Sequence, residues 1–186
     1  MKRKIILASA SPRRKDLLQQ IVSDFEVEAS DFNEDDIHLE IFRLPYELSR
    51  LKAYSVFVKH PHDIIIASDT IVVYNHEVFG KPKTHDEAVL MLKKLSGNAH
   101  SVLTSYTIIS KEKEISKTVK TRVFFRKLSD EEIVDYVNSG APFDKSGGYA
   151  IQDPVLKPAE RIIGNIETVV GFPIKELEID LKKFLD

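Results

Sequence analysis

Short apolar runs alternate with stretches of helical periodicity along the whole chain. Residues 5–8 and 64–67 are runs of the first kind, and residues 45–59 are a stretch of the second kind. This alternation is typical of an α/β protein, in which helices pack on a sheet. Both hairpins and longer crossovers are indicated, so we predict a mixed β-sheet flanked by helices. A chain of 186 residues predicts a single domain over 1–186, or one domain divided into two lobes.

The predicted elements follow from periodicity and from helix-capping residues. Ser11 precedes Pro12 as a natural N-cap, and capping boxes are predicted at Thr84 with Glu87 and at Ser129 with Glu132. In chain order we predict a strand at 4–8 and helices at 12–22 and 45–59. Next come the apolar runs 64–67 and 71–74, interrupted by polar residues 68–70 and followed by a hairpin turn at 75–77. The rest is a helix ending near 97, two strands within 100–128, a helix ending near 140, a loop at 142–153, two more strands, and a final helix at 174–184.

Composition excludes several classes of protein. The net charge is −2, so no overall basic field would attract a nucleic acid polymer. There is no cysteine, which excludes disulfides and thiolate sites, and no apolar run is long enough to cross a bilayer. The basic start is followed by an apolar run too short for a secretory signal. We therefore expect a cytoplasmic protein.

A loop of small residues leads from the first strand into the first helix. Ser9 lies in this loop, and Arg13 and Arg14 lie in the first helical turn, where the helix dipole disfavours cations. Exposed helical N–H groups and two guanidiniums together favour a bound phosphate. The alternative, in which both arginines point into solvent, remains open.

Asp69 interrupts an apolar strand and is the strongest single candidate for chemistry. A carboxylate between two β-branched runs must be paired, metal-bound or facing a cleft to avoid a large desolvation cost. The alternative is a bulge or strand end, where Asp69 accepts backbone hydrogen bonds. Thr70 beside it is more typical of a plain strand residue.

Other charged residues are weaker candidates. The acidic stretch Asp31, Glu34, Asp35 and Asp36 has a second carboxylate for a hard cation, although most such runs are solvated loops. Three lysines, each taken alone, are typical of a surface position: Lys52, Lys81 and Lys145. Their convergence on one site is a hypothesis. For His100, at a helix-to-strand junction, we favour a structural role.

Taken in order, these segments resemble the Maf family over nearly the whole chain. The resemblance rests on Ile-Leu-Ala-Ser-Ala-Ser-Pro-Arg-Arg at the start, Ser68-Asp69-Thr70, and Gly80-Lys81-Pro82. Further matches are Leu95-Ser96-Gly97 with His100, Val102 and Thr104, then Asp144-Lys145 with Gly147, Tyr149, Ile151 and Gln152, and Val169-Val170-Gly171-Phe172-Pro173.

The resemblance implies a fold similar to that of the inosine triphosphate pyrophosphatases, with two lobes around a cleft. It also implies a divalent cation and frequently a homodimer. By the same resemblance, Asp69 matches the proton acceptor, and Arg13, Thr70 and Gln152 match positions associated with the choice of base. The branch with these residues acts on dTTP and UTP, whereas another branch acts on 7-methyl-GTP.

Three positions depart from the family pattern. Ser105 stands where glycine is usual, Asp153 follows Gln152 in place of glycine, and Thr168 replaces a common asparagine. These departures bear on substrate preference more than on the reaction. Asp153 adds negative charge near a site meant for a polyanion, unless it helps to hold the metal.

The resulting hypothesis is a nucleoside triphosphate pyrophosphatase that acts on dTTP and UTP with Mg²⁺ or Mn²⁺. Asp69 and Glu34 are the candidate metal ligands, and Asp69 orients and deprotonates water. The candidate phosphate-binding residues are Ser9, Arg13, Arg14, Lys52 and Lys81. The alternatives are hydrolysis of 7-methyl-GTP or of damaged purine triphosphates, and a nucleotide-binding regulator of cell division.

Overall fold

Six α-helices and seven β-strands are found in a computed structural model of the chain, which describes residues 3–32, 37 and 39–185. In chain order they are β1 (Ile5–Leu7), α1 (Pro12–Gln19), β2 (Glu26–Val27), α2 (Leu44–Phe57), β3 (Ile64–Tyr74), β4 (Glu77–Phe79), α3 (His85–Leu95), β5 (Ala99–Ile109), β6 (Glu114–Phe125), α4 (Asp130–Asn138), β7 (Ala159–Ile163), α5 (Ile166–Val170) and α6 (Ile174–Leu185).

The strands form one mixed sheet in the order β2-β1-β3-β5-β6-β7, with β4 paired to β3. The β1–β2 and β1–β3 pairs are parallel, whereas the β3–β4 and β6–β7 pairs are antiparallel. The predicted mixed α/β class is therefore confirmed. The chain divides into two compact units, and β3, β5 and β6 contribute residues to both.

Unit 1 contains residues 1–69, 104–119 and 170–186. Helices α1 and α6 bury Leu17, Leu18 and Leu181 in one cluster with even-numbered β3 residues such as Ile66. Helix α2 buries Ala53 and Val56 in another cluster with the odd-numbered Ile65 and Ala67 of β3. Because side chains alternate along a strand, helices cover both faces of the sheet in this unit.

Unit 2 contains residues 70–103 and 120–169. Helices α3 and α4 bury one apolar cluster, to which the sheet contributes Val72, Val102 and Val123. The predicted capping box at Ser129 and Glu132 is confirmed. At Thr84 only half of the predicted box is present, because Glu87 accepts its hydrogen bond from the N–H of Lys83 instead.

Local structure departs from the sequence predictions in two places. Helix α1 ends at Gln19 instead of near residue 22. At this end the N–H of Gln20 donates to the carbonyl of Leu17, which tightens the last turn. Two strands are predicted before the final helix, but only β7 forms, and residues 166–170 are helical. That segment is rich in β-branched residues, which favour strands, but tertiary packing overrides this preference. Thr168 within it is fully buried.

No helix in the described part of the chain has both the length and the apolar character needed to cross a membrane.

Asp180 of α6 is a fully buried carboxylate in unit 1. It accepts hydrogen bonds from the Tyr106 hydroxyl at 2.7 Å and from the Lys183 ammonium at 2.6 Å, and it pairs with Lys117 at 2.6 Å. Burial raises the pKa of Asp180, but the hydrogen bonds from Lys117, Lys183 and Tyr106 outweigh burial and lower it to about 2. The charged form therefore stabilises the fold.

We expect Asp180→Asn to lower the free energy of unfolding at pH 7 by roughly 2 kcal/mol, the value of a pKa shift of this size. The pKa of Asp180 in the folded protein lies below the ordinary value of 3.8. The stabilisation by its charged form is therefore present above pH 3.8 and is lost as the pH falls toward 2. Urea unfolding of both proteins at several pH values between 7 and 3 measures this. A difference in stability that stays constant with pH would contradict it.

Candidate active site

The loop after β1 is held beside β3 by the parallel pairing of the two strands. Leu7 pairs with Ile66, and the N–H of Ala8 donates to the carbonyl of Ile66 at 2.8 Å. Beyond this register, Arg14 bonds Ser9 and shares the Gly171 oxygen with Ser68. The start of α1 therefore lies next to the segment that contains Asp69.

Two serines fix the start of α1. The buried Ser9 hydroxyl accepts from the N–H of Ser11 at 3.2 Å and from Arg14 Nη1 at 3.4 Å. Ser11 is the N-cap, as predicted, and its hydroxyl accepts from the N–H of Arg14. Arg13, half-buried, lies in the same helical turn.

Asp69 lies in the interior of β3 and is 6% exposed. Its Oδ1 accepts a hydrogen bond of 2.5 Å from Lys52 Nζ of α2, whose side chain is only 13% exposed. Of the three predicted settings for this carboxylate, the structure shows a pair with a cation, and the alternative of a strand end is wrong because β3 continues to Tyr74. The surface position favoured for Lys52 is also wrong. Removing one member of such a buried pair typically costs about 3–5 kcal/mol.

A backbone carbonyl links the start of α1 to β3. The Gly171 oxygen accepts from the Ser68 hydroxyl at 2.9 Å and from Arg14 Nε at 3.1 Å. Sequence reasoning used Gly171 only as part of a family motif and gave Ser68 no role. A serine next to Asp69 in an otherwise apolar strand is a sequence signal for Ser68. Its acceptor, the Gly171 carbonyl, is distant in sequence and cannot be identified from local pattern.

Unit 2 brings three other motif segments together. The Ser146 hydroxyl donates to the carbonyl of Thr70 at 2.9 Å, and the N–H of Gly147 donates to the carbonyl of Gly80 at 2.9 Å. Lys81, next to Gly80, is exposed and pairs with no carboxylate in the described parts of the chain. Gln152 is also exposed.

Gly147 is required where it stands. Its φ is +73°, and an added Cβ would lie 2.9 Å from Val72 Cγ2. Such a position excludes other residues both by backbone conformation and by close approach. The segment from Ser146 to Gly148 is therefore packed directly against β3.

Lys145 and His100 have local roles. Lys145 is mostly buried instead of on the surface, and its ammonium donates to the Ala141 carbonyl at 2.6 Å and to the Asp144 carboxylate.

His100 is buried between Phe125 and Tyr149, with Nε2 2.7 Å from the Tyr149 hydroxyl. Burial lowers the pKa of His100 to about 4, so the ring is neutral near pH 7. The predicted structural role of His100 is confirmed.

Ser105 and Asp153, which depart from the family pattern, form local hydrogen bonds. The Ser105 hydroxyl bonds the Thr118 hydroxyl at 2.7 Å. Asp153 Oδ1 accepts from the N–H groups of Val155 at 2.9 Å and Leu156 at 2.8 Å, so this carboxylate stabilises a turn. Thr168 is fully buried.

Metal ligands are sparse among the residues that the structure describes. No group of three His, Cys, Asp or Glu side chains able to hold a metal is found within 3–32, 37 and 39–185. Glu34, one predicted ligand, lies outside the described residues. Asp69, the other, is a buried carboxylate with one oxygen bonded to Lys52.

The sequence matches the family model described as Maf-like protein over residues 4–184. The chain belongs to the Maf-like protein family. The resemblance seen in the motifs of this Maf chain is thereby confirmed.

Two similar relatives of the Maf chain are named dTTP/UTP pyrophosphatase. The protein from Thermoanaerobacter sp. (strain X514) is 44% identical over 186 residues, covering 98% of this chain and 97% of the relative. The protein from Geobacillus sp. (strain WCH70) is 41% identical over 185 residues, covering 97% and 98%. Among solved structures, the Staphylococcus aureus Ham1 protein matches with a TM-score of 0.49 and 16% identity, covering 98% of this chain and 100% of that one.

We expect Gly147→Ala to destabilise this Maf protein more than Gly140→Ala. Gly140 has a similar φ of +77°, but nothing lies within 4 Å of an added Cβ. Gly140→Ala therefore measures backbone strain alone, about 1–2 kcal/mol. Gly147→Ala adds the contact with Val72, a further ~1–3 kcal/mol. Chemical unfolding of both variants tests this, and equal losses would show that the close approach has no cost.

Proposed function

We propose that this Maf-family protein hydrolyses dTTP and UTP to the nucleoside monophosphate and pyrophosphate. The relatives named dTTP/UTP pyrophosphatase, 41–44% identical over almost the whole chain, support the reaction and the substrate class. The structural observation that most supports it is the buried Asp69–Lys52 pair, which lies beside the serine-held start of α1.

The start of α1 is suited to bind phosphate oxygens. The helix dipole favours an anion there, although Pro12 has no N–H and the N–H of Arg14 already bonds the Ser11 hydroxyl. Arg13 adds a guanidinium in the first turn, which offsets the negative charge of a triphosphate. The hydroxyl of Ser9 and the guanidinium of Arg14 hold the loop in place.

Asp69 is suited to orient and deprotonate a water molecule. The hydrogen bond from Lys52 to Oδ1 holds the carboxylate in one orientation. Oδ2 accepts no hydrogen bond from another described residue, so this oxygen is the acceptor for the proton of water. When the attacking water loses that proton to Asp69, the α-phosphorus gains a bond to oxygen and pyrophosphate departs.

Lys52 also places positive charge at the reacting centre. Its ammonium neutralises Asp69 in the free protein and is a donor for phosphate oxygens when substrate is bound. Lys81, exposed and without a paired carboxylate among the described residues, is a second candidate for this role. Thr70 and Gln152 are the candidates for recognising the base, by the family resemblance.

A divalent cation, Mg²⁺ or Mn²⁺, belongs to this proposal. Magnesium usually binds through one or two carboxylates together with phosphate oxygens and water, so a single buried carboxylate, Asp69, fits this requirement. Glu34 remains the candidate for a second ligand. When bound, the cation neutralises charge on the triphosphate oxygens. Cytoplasmic location and, from the family resemblance, a homodimer are part of the same proposal.

We expect Asp69→Asn to lower kcat for dTTP by about 10³-fold, the usual contribution of a positioned general base. The variant should still bind dTTP, which calorimetry measures. Loss of the charge opposite Lys52 should also lower the unfolding temperature, so turnover is measured well below it. Asp63→Asn is the matched control, because Asp63 directly precedes β3 and its Oδ1 accepts the N–H of Lys4 at 2.9 Å. Retained turnover in Asp69→Asn would refute the assignment.

We expect wild-type protein with Mg²⁺ to release pyrophosphate from dTTP and UTP at least tenfold faster, in kcat/KM, than from 7-methyl-GTP. A site that hydrogen-bonds one base edge leaves its polar groups unpaired with another base, which reduces kcat/KM strongly. The assay separates nucleoside monophosphate from diphosphate by chromatography. A preference for 7-methyl-GTP or for modified purines would overturn the substrate, and tight binding without product would favour a regulatory role.

A further inference from the structure

One carbonyl oxygen lies at the junction of three segments of unit 1. The Gly171 oxygen accepts from Ser68 Oγ of β3 and from Arg14 Nε of α1, at 2.9 and 3.1 Å. Gly171 has a φ of +123°, a conformation that favours glycine. The direction of this carbonyl therefore depends on a glycine in the turn before α6.

The guanidinium of Arg14 is engaged by acceptors of the protein itself. Nε donates to the Gly171 oxygen, and Nη1 donates to Ser9 Oγ at 3.4 Å. The same Ser9 oxygen accepts the N–H of Ser11 at 3.2 Å. Arg14 thus spans from the turn before α6 to the loop that forms the start of α1.

Ser68 anchors strand β3 directly beside Asp69. Its side chain is fully buried, and its hydroxyl donates to Gly171. Because neighbouring side chains on a strand point to opposite faces, Ser68 faces the α1 and α6 side while Asp69 faces α2 and Lys52. The backbone around Asp69 is therefore held from both faces of the sheet.

We propose that Arg14 and Ser68 are positioning residues, which fix the α1 loop relative to Asp69 through the Gly171 carbonyl. Arg13 then contacts phosphate directly, and Arg14 acts by geometry instead of by charge. This inference rests on the proposed function, because it assigns roles within the same site. It predicts that a lysine substitutes poorly for Arg14, since an ammonium is a point donor and lacks the planar fork that reaches both acceptors.

The first test compares Ser68→Ala with Ser110→Ala. Ser110 is also a buried serine of unit 1, but its hydroxyl bonds Glu112 at the far turn of β5. Small misplacements of reacting groups lower rates by up to about 100-fold, so kcat for Ser68→Ala should fall on the order of tenfold with KM changed less than about twofold. Ser110→Ala should keep kcat within about twofold of wild type. Equal effects on kcat in the two variants would overturn the role of Ser68.

The second test compares Arg14→Lys with Arg13→Lys, each beside the corresponding glutamine variant. If charge alone matters, lysine rescues activity relative to glutamine, and we expect this at residue 13. At residue 14 we expect lysine and glutamine to lower kcat by similar factors, on the order of tenfold or more. Rescue of kcat by lysine at residue 14 would overturn the positioning role.

A readout independent of turnover separates this inference from the proposed function. Amide hydrogen exchange of the N–H groups of residues 9–11, 13 and 14 is measured in wild type, Ser68→Ala and Arg14→Lys. We expect faster exchange in both variants, because the carbonyl bridge then no longer holds the loop. Failure of wild type to release pyrophosphate refutes the proposed function only, whereas unchanged exchange in both variants refutes the bridge.

Discussion

The buried ion pair between Lys52 and Asp69 is the interaction on which the candidate site depends. Asp69 is only 6% exposed, and burying a polar group without a hydrogen-bond partner is costly. Lys52 lies on α2, whose Ala53 and Val56 pack on the same sheet face as Asp69. The apolar contact of α2 with the sheet therefore sets the distance at which the pair forms.

The parallel pairing of β1 with β3 determines what lies beside this pair. Because β1 ends at Leu7 while β3 continues to Tyr74, the loop after β1 occupies the place next to Ser68. Ends of parallel strands commonly position ligand-binding loops in α/β proteins. Here the loop is held by hydroxyl groups and by the Gly171 carbonyl, so its geometry depends on segments far apart in sequence.

Burial of a polar group does not by itself mark a functional residue in this protein. Asp180 is more buried than Asp69, but Tyr106, Lys117 and Lys183 all bond or pair with it. His100 is buried and neutral between aromatic rings. Asp69 differs because only Lys52 bonds it among the described residues, which leaves a carboxylate oxygen for a substrate, water or metal.

The sequence alone determined the class of fold and the strand carboxylate that needs a partner, because both are local properties. Apolar periodicity reports which faces are buried, Ser11 and Pro12 mark a helix start, and a charge within a β-branched run demands a partner. Sequence could not identify Lys52 as that partner or exclude it from the surface, since the pairing follows from packing of α2. Likewise, residues 166–170 have strand-like composition but form a helix because of tertiary packing. Only the tertiary structure decided that Arg14 and Ser68 share the Gly171 carbonyl, because hydrogen bonds between distant segments depend on how the elements pack.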